Sequence, residues 1–259
     1  MEVHHHSHTA DSDIHRGRKN WKNYFWEFFM LFLAVTLGFF VENQREHFVE
    51  HQRTKQYALS LADDLKKDTS AFRVLKENYS RNIVKIDTFR NMLKSKPISK
   101  IPGGSLYYYC EPVIWSIAII FHDATLQQLK NSGNLRYFPT SLQNKISEYD
   151  RMTRELSARQ ENEIYFSRIS REIMTGIFDA ETILAINKIN KLSASSDIEE
   201  FKNKNIKLIN QDTLAIKKLF NEVIYRQGSW QFRLQQIIEP TNSMAIDLLK
   251  DLEKEYHFK

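Results

Sequence analysis

Apolar residues dominate the stretch from Tyr24 to Val41, YFWEFFMLFLAVTLGFFV, which is eighteen residues long and carries one charge, Glu27. A helix rises 1.5 Å per residue, so about 20 residues cross a hydrocarbon layer of roughly 30 Å. Tyr24, Phe25 and Trp26 suit a headgroup-level aromatic belt. Glu27 falls near the interface, where a carboxylate stays hydrated; at the bilayer centre it would cost several kcal/mol. The residues after the run are Phe39, Phe40, Val41 and Glu42, not the small residues of a signal-peptide cleavage site. The pattern predicts an uncleaved transmembrane helix over residues 23–42. A cleaved signal peptide and a buried core helix are the competing readings.

Beyond the span the pattern changes to helical spacing. Between Glu42 and Lys96, which hold no Pro or Gly between them, apolar residues recur as Phe48, Tyr57, Leu61, Leu65, Phe72, Leu75, Tyr79, Ile83, Ile86, Phe89 and Leu93. The span is expected to run straight into this helix as a stalk. Pro97, Pro102, Gly103 and Gly104 open a loop that ends in Tyr107, Tyr108 and Tyr109, aromatics that either pack over a bundle end or form a contact edge. Pro112 suits the first turn of a second helix, which runs to about Lys130 and stops at Asn131-Ser132-Gly133. Its Val113–Phe121 run is expected to be the most buried part of the core.

A third helix is expected from Thr140 or Ser141 to near Gly176, facing inward with Ile146, Tyr149, Met152, Leu156, Ile164, Phe166, Ile169 and Ile173. A shorter one covers Ala180 to Lys191, and Ser193 to Asp197 make a linker and cap. A last long helix starts between Ile198 and Asn210 and continues to about Ile238; Pro240 kinks or interrupts it, and a final segment ends near Tyr256. No strand alternation or hairpin dipeptide interrupts this series. The fold class expected is all-α: one N-terminal transmembrane helix continuing into an antiparallel helical bundle over residues 43–259.

Charge sets the orientation. Arg16, Arg18, Lys19 and Lys22 precede the span with no acid among them, whereas Arg45, Arg53 and Lys55 follow it mixed with Glu42, Glu46 and Glu50. The positive-inside rule then favours a cytoplasmic N-terminus and a periplasmic domain in a bacterial inner membrane. The chain's 37 Lys/Arg and 32 Asp/Glu are interspersed, which argues for a solvated helical surface and against a nucleic-acid stripe. The one cysteine, Cys110, allows no intrachain disulfide, so cysteine usage leaves the compartment open. Residues 1–22 are polar and His-rich (HHHSH at positions 4 to 8) and read as a disordered cytoplasmic tail.

Little chemistry assembles on this frame. His47-Phe48-Val49-Glu50-His51 spells H-x-x-E-H, in which two histidines on one helical face could ligate zinc and Glu50 could act as base. A catalytic zinc site would need a third ligand and an enclosing pocket, and the sequence offers neither. Asp63, Asp64 and Asp68 in DDLKKD suggest a cation site, but Lys66 and Lys67 intervene and a solvated helix face explains them more simply. His122 and His257 sit in no nucleophile motif, and no phosphate-binding glycine loop occurs. No cofactor is expected.

Two segments carry a resemblance. The layout of the span followed by ENQREH and RTKQYALSLADDLKKDT, and the segment ATLQQLKNSGNLRYFPTSLQNKISEYD at positions 124 to 150, resemble uncharacterised bacterial single-pass membrane proteins with an all-helical extracytoplasmic domain of unknown function. The likeness covers most of residues 24 to 259. It implies a fold and a membrane address, and it supplies no activity.

These readings converge on a membrane-anchored interaction or scaffold subunit without catalytic activity. Its expected partners are the lipid bilayer and a protein or second copy, with the heptad-like spacing of Tyr57, Leu61, Leu65 and Phe72 suggesting a coiled-coil stalk. A periplasmic sensor or ligand-binding domain signalling through a partner is the alternative. A zinc-dependent hydrolase built on His47, Glu50 and His51 is the remote one.

Overall fold

With no Pro or Gly from Glu42 to Lys96, nothing in that stretch breaks a helical hydrogen-bond ladder. In the structure, a computed structural model that describes residues 21–192 and 194–258, one helix runs unbroken over Trp21–Ser95 (α1). Further α-helices cover Gly103–Cys110 (α2), Ala124–Ser132 (α3), Thr140–Thr175 (α4), Ala180–Leu192 (α5), Ser195–Asn203 (α6), Thr213–Arg233 (α7) and Glu239–Tyr256 (α8). Among the described residues there is no strand, and the fold is all-α. The chain divides into two units, one ending at Gln52 and one covering Arg53–Lys259. The HHHSH tail and Ser193 of the expected linker lie outside the described residues.

In the first unit the span keeps its apolar side chains outward, and none of its apolar window is buried. The rings of Phe25 and Phe29, and of Phe28 and Phe32, stack one helical turn apart at 6.1 and 6.3 Å. Such a surface suits hydrocarbon and not water. By length and composition the helix is a candidate membrane span.

In the second unit α1 buries Thr54, Ala58, Leu61, Leu65, Asp68, Phe72, Leu75, Tyr79, Ile86 and Phe89. Spacings of three and four keep these on one stripe, the geometry of helix-on-helix packing. Part of the stripe joins a core with Leu129, Ile146 and Leu248. The rest joins a second core with Tyr107, Phe178 and Trp230. Each fully buried Leu, Ile or Phe adds roughly 1.5–3 kcal/mol. Leu61, Leu65 and Phe72 are thus spent inside their own domain.

Four expectations change. The Val113–Phe121 run is not an α-helix: Glu111–Ile114 form a 3-10 turn, residues 115–123 belong to no regular element, and α3 starts only at Ala124. Val113, Ile114, Ile117, Ile119 and Ile120 crowd β-branched side chains that a helix disfavours. Side chains replace the missing ladder: Ile119 N–H donates to Gln160 Oε1 (3.1 Å) and His122 N–H to Asp68 Oδ1 (2.9 Å). Nor is the run the most buried segment, since Ile120 is 83% exposed. It does end as expected, because Gly133 closes α3 in the left-handed conformation at φ 68°.

Gly103 and Gly104 begin a helix where a loop was expected. A Cβ on Gly103 would stand 1.7 Å from Ile206 O, and one on Gly104 2.0 Å from Phe201 O. Only glycine lets α2 approach the backbone of α6 so closely. Gly104 N–H donates to Lys204 O (2.9 Å). This seam holds residues 204–212 off the helix, so α6 and α7 are separate elements in place of one long helix. Asp212 then caps α7 by accepting from Ala215 N–H (2.8 Å).

Pro240 does not break the C-terminal helix. A π turn over Leu234–Ile238 joins α7 to α8, with Glu239 N–H donating five residues back to Leu234 O. The wider turn accommodates a ring that lacks an N–H and would clash with the preceding turn.

The second half of α4 is inverted. Its inward stripe passes through Leu142, Ile146, Tyr149, Thr153 and Leu156, then continues through Glu163, Ser167 and Ser170 to Met174. Ile164, expected in the core, is 46% exposed, and Tyr165 is 58% exposed. The reason lies across the interface. Arg226 of α7 is fully buried and donates from Nη2 to Glu163 Oε2 (2.9 Å) and Ser167 Oγ (3.2 Å). Trp230 Nε1 donates to the same Glu163 oxygen (3.4 Å), and Arg233 Nη1 lies 3.3 Å from Glu163 Oε1. Turning Ile164 inward would rotate Glu163 away and strand a buried guanidinium.

Candidate functional site

Two of the three acids in DDLKKD hold structure together. Asp68 stands in the buried stripe of α1 between Leu65 and Phe72. Its Oδ1 accepts from His122 N–H (2.9 Å) and meets His122 Nδ1 at 2.9 Å, and its Oδ2 accepts from Tyr149 OH (2.7 Å). One turn earlier, Asp64 Oδ2 accepts from Thr125 Oγ1 (2.6 Å). The solvated-face reading of Asp64 and Asp68 is therefore wrong. An apolar neighbourhood makes an unpaired carboxylate costly, and these two are kept by donors arriving from residues 122–125 and from α4. Lys67 pairs with Asp64 Oδ1 (3.7 Å) instead of with Asp63.

The relay fixes the imidazole. With Nδ1 engaged by Asp68, Nε2 is the ring's other hydrogen-bonding atom. Nε2 has no partner among the described residues, and the His122 side chain is 46% exposed. Burial and the adjacent Asp68 charge both push the Tyr149 phenol well above its ordinary range, so it stays a donor. Beside His122 lies a recess of about 10 Å³, room for one water. It shares Phe121, Asp123 and Thr153 with a wider cleft of about 250 Å³ that Ile120, Arg154 and Ser157 complete. The arrangement can hydrogen-bond a small group that reaches the recess.

A second feature is the outer face of α4 and α7. The turn that buries Glu163 puts Tyr165 at the surface beside the half-buried Phe166, with ring centroids 5.7 Å apart and Phe166 6.5 Å from Tyr225. Tyr225 is 62% exposed, and Phe232, two turns further along α7, is exposed as well. Large aromatics linked edge to face on two packed helices form an apolar ridge, the side-chain type enriched at protein interfaces.

No family model matches the chain, and neither does any curated protein or solved structure.

The H-x-x-E-H residues belong to the first unit. His47 Nδ1 faces Glu50 Oε2 at 3.7 Å one turn along α1, and both His47 and His51 are exposed. Among the described residues no three His, Cys, Asp or Glu side chains come together as a metal site.

The triple tyrosine is internal. Tyr107 is buried, accepts from Asp179 N–H (2.7 Å) and contacts Phe178 at 4.4 Å. Tyr109 stacks on Phe89 at 5.9 Å. Tyr108 lies beneath Lys85 Nζ, 3.7 Å from the ring centroid. Lys85 pairs with the buried Glu111 (3.3 Å), and burial lowers its pKa despite that partner. Burial pushes the neighbouring Cys110 thiol far up, so it is an inert core residue.

Sequence reasoning named neither Asp68–His122–Tyr149 nor the Tyr165–Tyr225 ridge. A signal for the first existed. Counting threes and fours along α1 lands an acid where an apolar residue is due.

Proposed function

We propose that this chain is a membrane-anchored interaction or scaffold subunit whose helical domain binds a protein partner without doing chemistry of its own. The observation that carries the reading is the ridge of Tyr165, Phe166 and Tyr225, surface aromatics beside an inward face that is polar. The partner, a second copy included, docks there and not along the α1 seam, whose leucines are already buried. The anchor is the exposed apolar helix near the N-terminus. The basic residues before it favour an N-terminus in the cytoplasm and a domain in the periplasm of a bacterium.

The test uses a photo-crosslinking amino acid at Tyr225 and, as control, at exposed Lys217 on the same helix, in native membranes. A discrete adduct from position 225 and none from 217 supports the reading. Equal or absent crosslinking at both positions overturns it. Topology is read by Cys110→Ser with Ser195→Cys and a membrane-impermeant maleimide on intact cells stripped of their outer layer. Labelling before lysis supports a periplasmic domain, and labelling only after lysis places it in the cytoplasm.

A sensor or ligand-binding domain is the second reading. The Asp68–His122 pair, which lines a recess adjoining a wider cleft through Phe121, Asp123 and Thr153, favours it. A saturable rise in Tm with one small metabolite, lost in His122→Phe, supports that reading over the scaffold.

A further inference from the structure

Tyr79, Arg226, Arg233, Glu163 and Trp230 form a polar knot inside the main core. All five are buried. Trp230 anchors the arrangement, with its rings 6.2 Å from Tyr79 and the Arg226 guanidinium 5.3 Å from its face. Tyr79 packs against the same Trp230 that Arg226 covers, and Arg226 and Arg233 meet on the two oxygens of Glu163, so the three side chains gather around one centre. The knot ends where the π turn begins, because Arg233 is the residue before Leu234.

Its hydrogen bonding is unbalanced in one direction. Four buried atoms here have no partner among the described residues: Tyr79 OH, Arg226 Nε, Arg226 Nη1 and Arg233 Nε. Three of them can only donate, and the fourth, the Tyr79 hydroxyl, carries one O–H to donate besides being able to accept. Guanidinium nitrogens cannot accept, and arginine does not give up its proton. A fifth unpartnered atom, Asn242 Oδ1, is on α8. The one carboxylate in the knot, Glu163, already takes Arg226 Nη2 and Trp230 Nε1 on Oε2 and faces Arg233 Nη1 with Oε1.

The charges lean the same way. Two buried guanidiniums share one buried carboxylate. Glu222 adds attraction for Arg226, but it is only partly buried and takes a hydrogen bond from Ser170 (2.6 Å). Arg159 adds repulsion at Arg233. A buried donor left unmade costs about 1–3 kcal/mol, and more when it carries charge. Water answers this poorly, since each molecule brings two hydrogens that need acceptors the knot has mostly used. An acceptor-only species with a negative charge answers both imbalances.

We propose that Tyr79, Arg226 and Arg233 form an internal binding site for one small monovalent inorganic anion of halide size. The site is independent of what the aromatic ridge binds. Occupancy ties α1 to the end of α7 at the π turn, so the anion acts as a structural ligand of the fold.

The probe is chloride, then bromide, titrated against gluconate at constant ionic strength, with thermal unfolding of the full chain in detergent as readout. The expected result is a saturable rise in Tm with halide that gluconate does not give. Tyr79→Phe keeps the ring packing and removes one neutral donor to the anion. It should weaken the apparent halide affinity about tenfold, the effect of one hydrogen bond to a charged group. Arg226→Met tests the charge but risks the fold, so Tyr79→Phe carries the decision. Bromide-soaked crystals should give an anomalous peak within hydrogen-bond distance of Arg226 Nη1. Equal Tm in halide and gluconate at every concentration overturns the proposal and assigns the donors to water. A halide effect that Tyr79→Phe leaves unchanged also overturns it, as a general salt effect.

Discussion

Tyr149 OH donates a 2.7 Å hydrogen bond to Asp68 Oδ2 across the interface of α4 and α1, inside a row of leucines. Among the described residues the carboxylate is the only acceptor these donors have, and its other oxygen holds His122 at both its backbone and its ring. One side chain therefore locks α1, α4 and the irregular segment before α3.

Asp68→Ala leaves the Tyr149 hydroxyl without its acceptor and removes an anchor of residues 115–123. The expected loss is about 3 kcal/mol of domain stability, against about 1 kcal/mol for Tyr149→Phe. Urea unfolding of both variants and of the double mutant checks this. The double mutant should cost less than the two single losses added together.

Alkaline pH should weaken the fold. Burial raises the pKa of Tyr79, Tyr107 and Tyr149 above the ordinary 10.0, and that of Cys110 above 9.0. These groups hold their protons more tightly folded than unfolded. Their contribution is complete below the unfolded values and is lost as pH rises through the folded ones. Lys85 opposes the trend, because its lowered pKa favours the folded chain as pH rises towards 10.5. The four raised groups outnumber it, so Tm should fall between about pH 9 and 11. Tyr149→Phe should flatten the fall. A Tm that climbs over this interval would contradict the assignment.

Gly103→Ala and Gly104→Ala should each part α2 from α6. The added Cβ would meet backbone oxygens at 1.7 and 2.0 Å, which cannot swing aside as a side-chain tip can. Overpacking of this kind costs about 1–3 kcal/mol or more. Hydrogen exchange should speed up at Gly104 and through residues 195–206, with less change in the Leu61–Leu248 core.

Lys85→Met should cost about 3–5 kcal/mol, because Glu111 is left charged and buried. Replacing both, Lys85→Met with Glu111→Leu, should restore most of that loss. The remaining deficit of about 1 kcal/mol reflects the 2.7 Å bond from Trp115 Nε1 to Glu111. Chemical denaturation of the three variants measures the cycle.

Much of the fold could be read from residue order. The span, the limits of α4 and α5, and the stop at Gly133 all follow from apolar runs, capping residues and glycine. What escaped the reading depended on distant partners. Gly103 and Gly104 look like a loop until Phe201 and Ile206 arrive, about a hundred residues later. Ile164 looks like core until Arg226 claims Glu163. The β-branched run from Val113 has helical length but not helical stability, and its backbone is satisfied by Gln160 and Asp68, which no local pattern announces. Asp68 itself was hidden by its neighbours, since DDLKKD has the composition of a surface.

The π turn at Leu234–Ile238 has an arithmetical meaning. Along α7 the buried positions include Val223, Arg226, Trp230 and Arg233, and in α8 they are Thr241, Ala245, Leu248 and Leu252. Continued from Arg233 in strictly alternating steps of four and three, the count would reach Ile237 and then Pro240, Met244, Asp247 and Asp251 instead. The chain carries one surplus residue, and the wide turn absorbs it. Removing that surplus residue, Gln235 for example, would let the wide turn close to an ordinary α turn with Leu248 and Leu252 still facing the core. Closing the turn without the deletion would rotate everything downstream by about 100° and carry Asp247 and Asp251 towards the apolar core in their place. The reading frame of the last helix is set by that one extra amino acid.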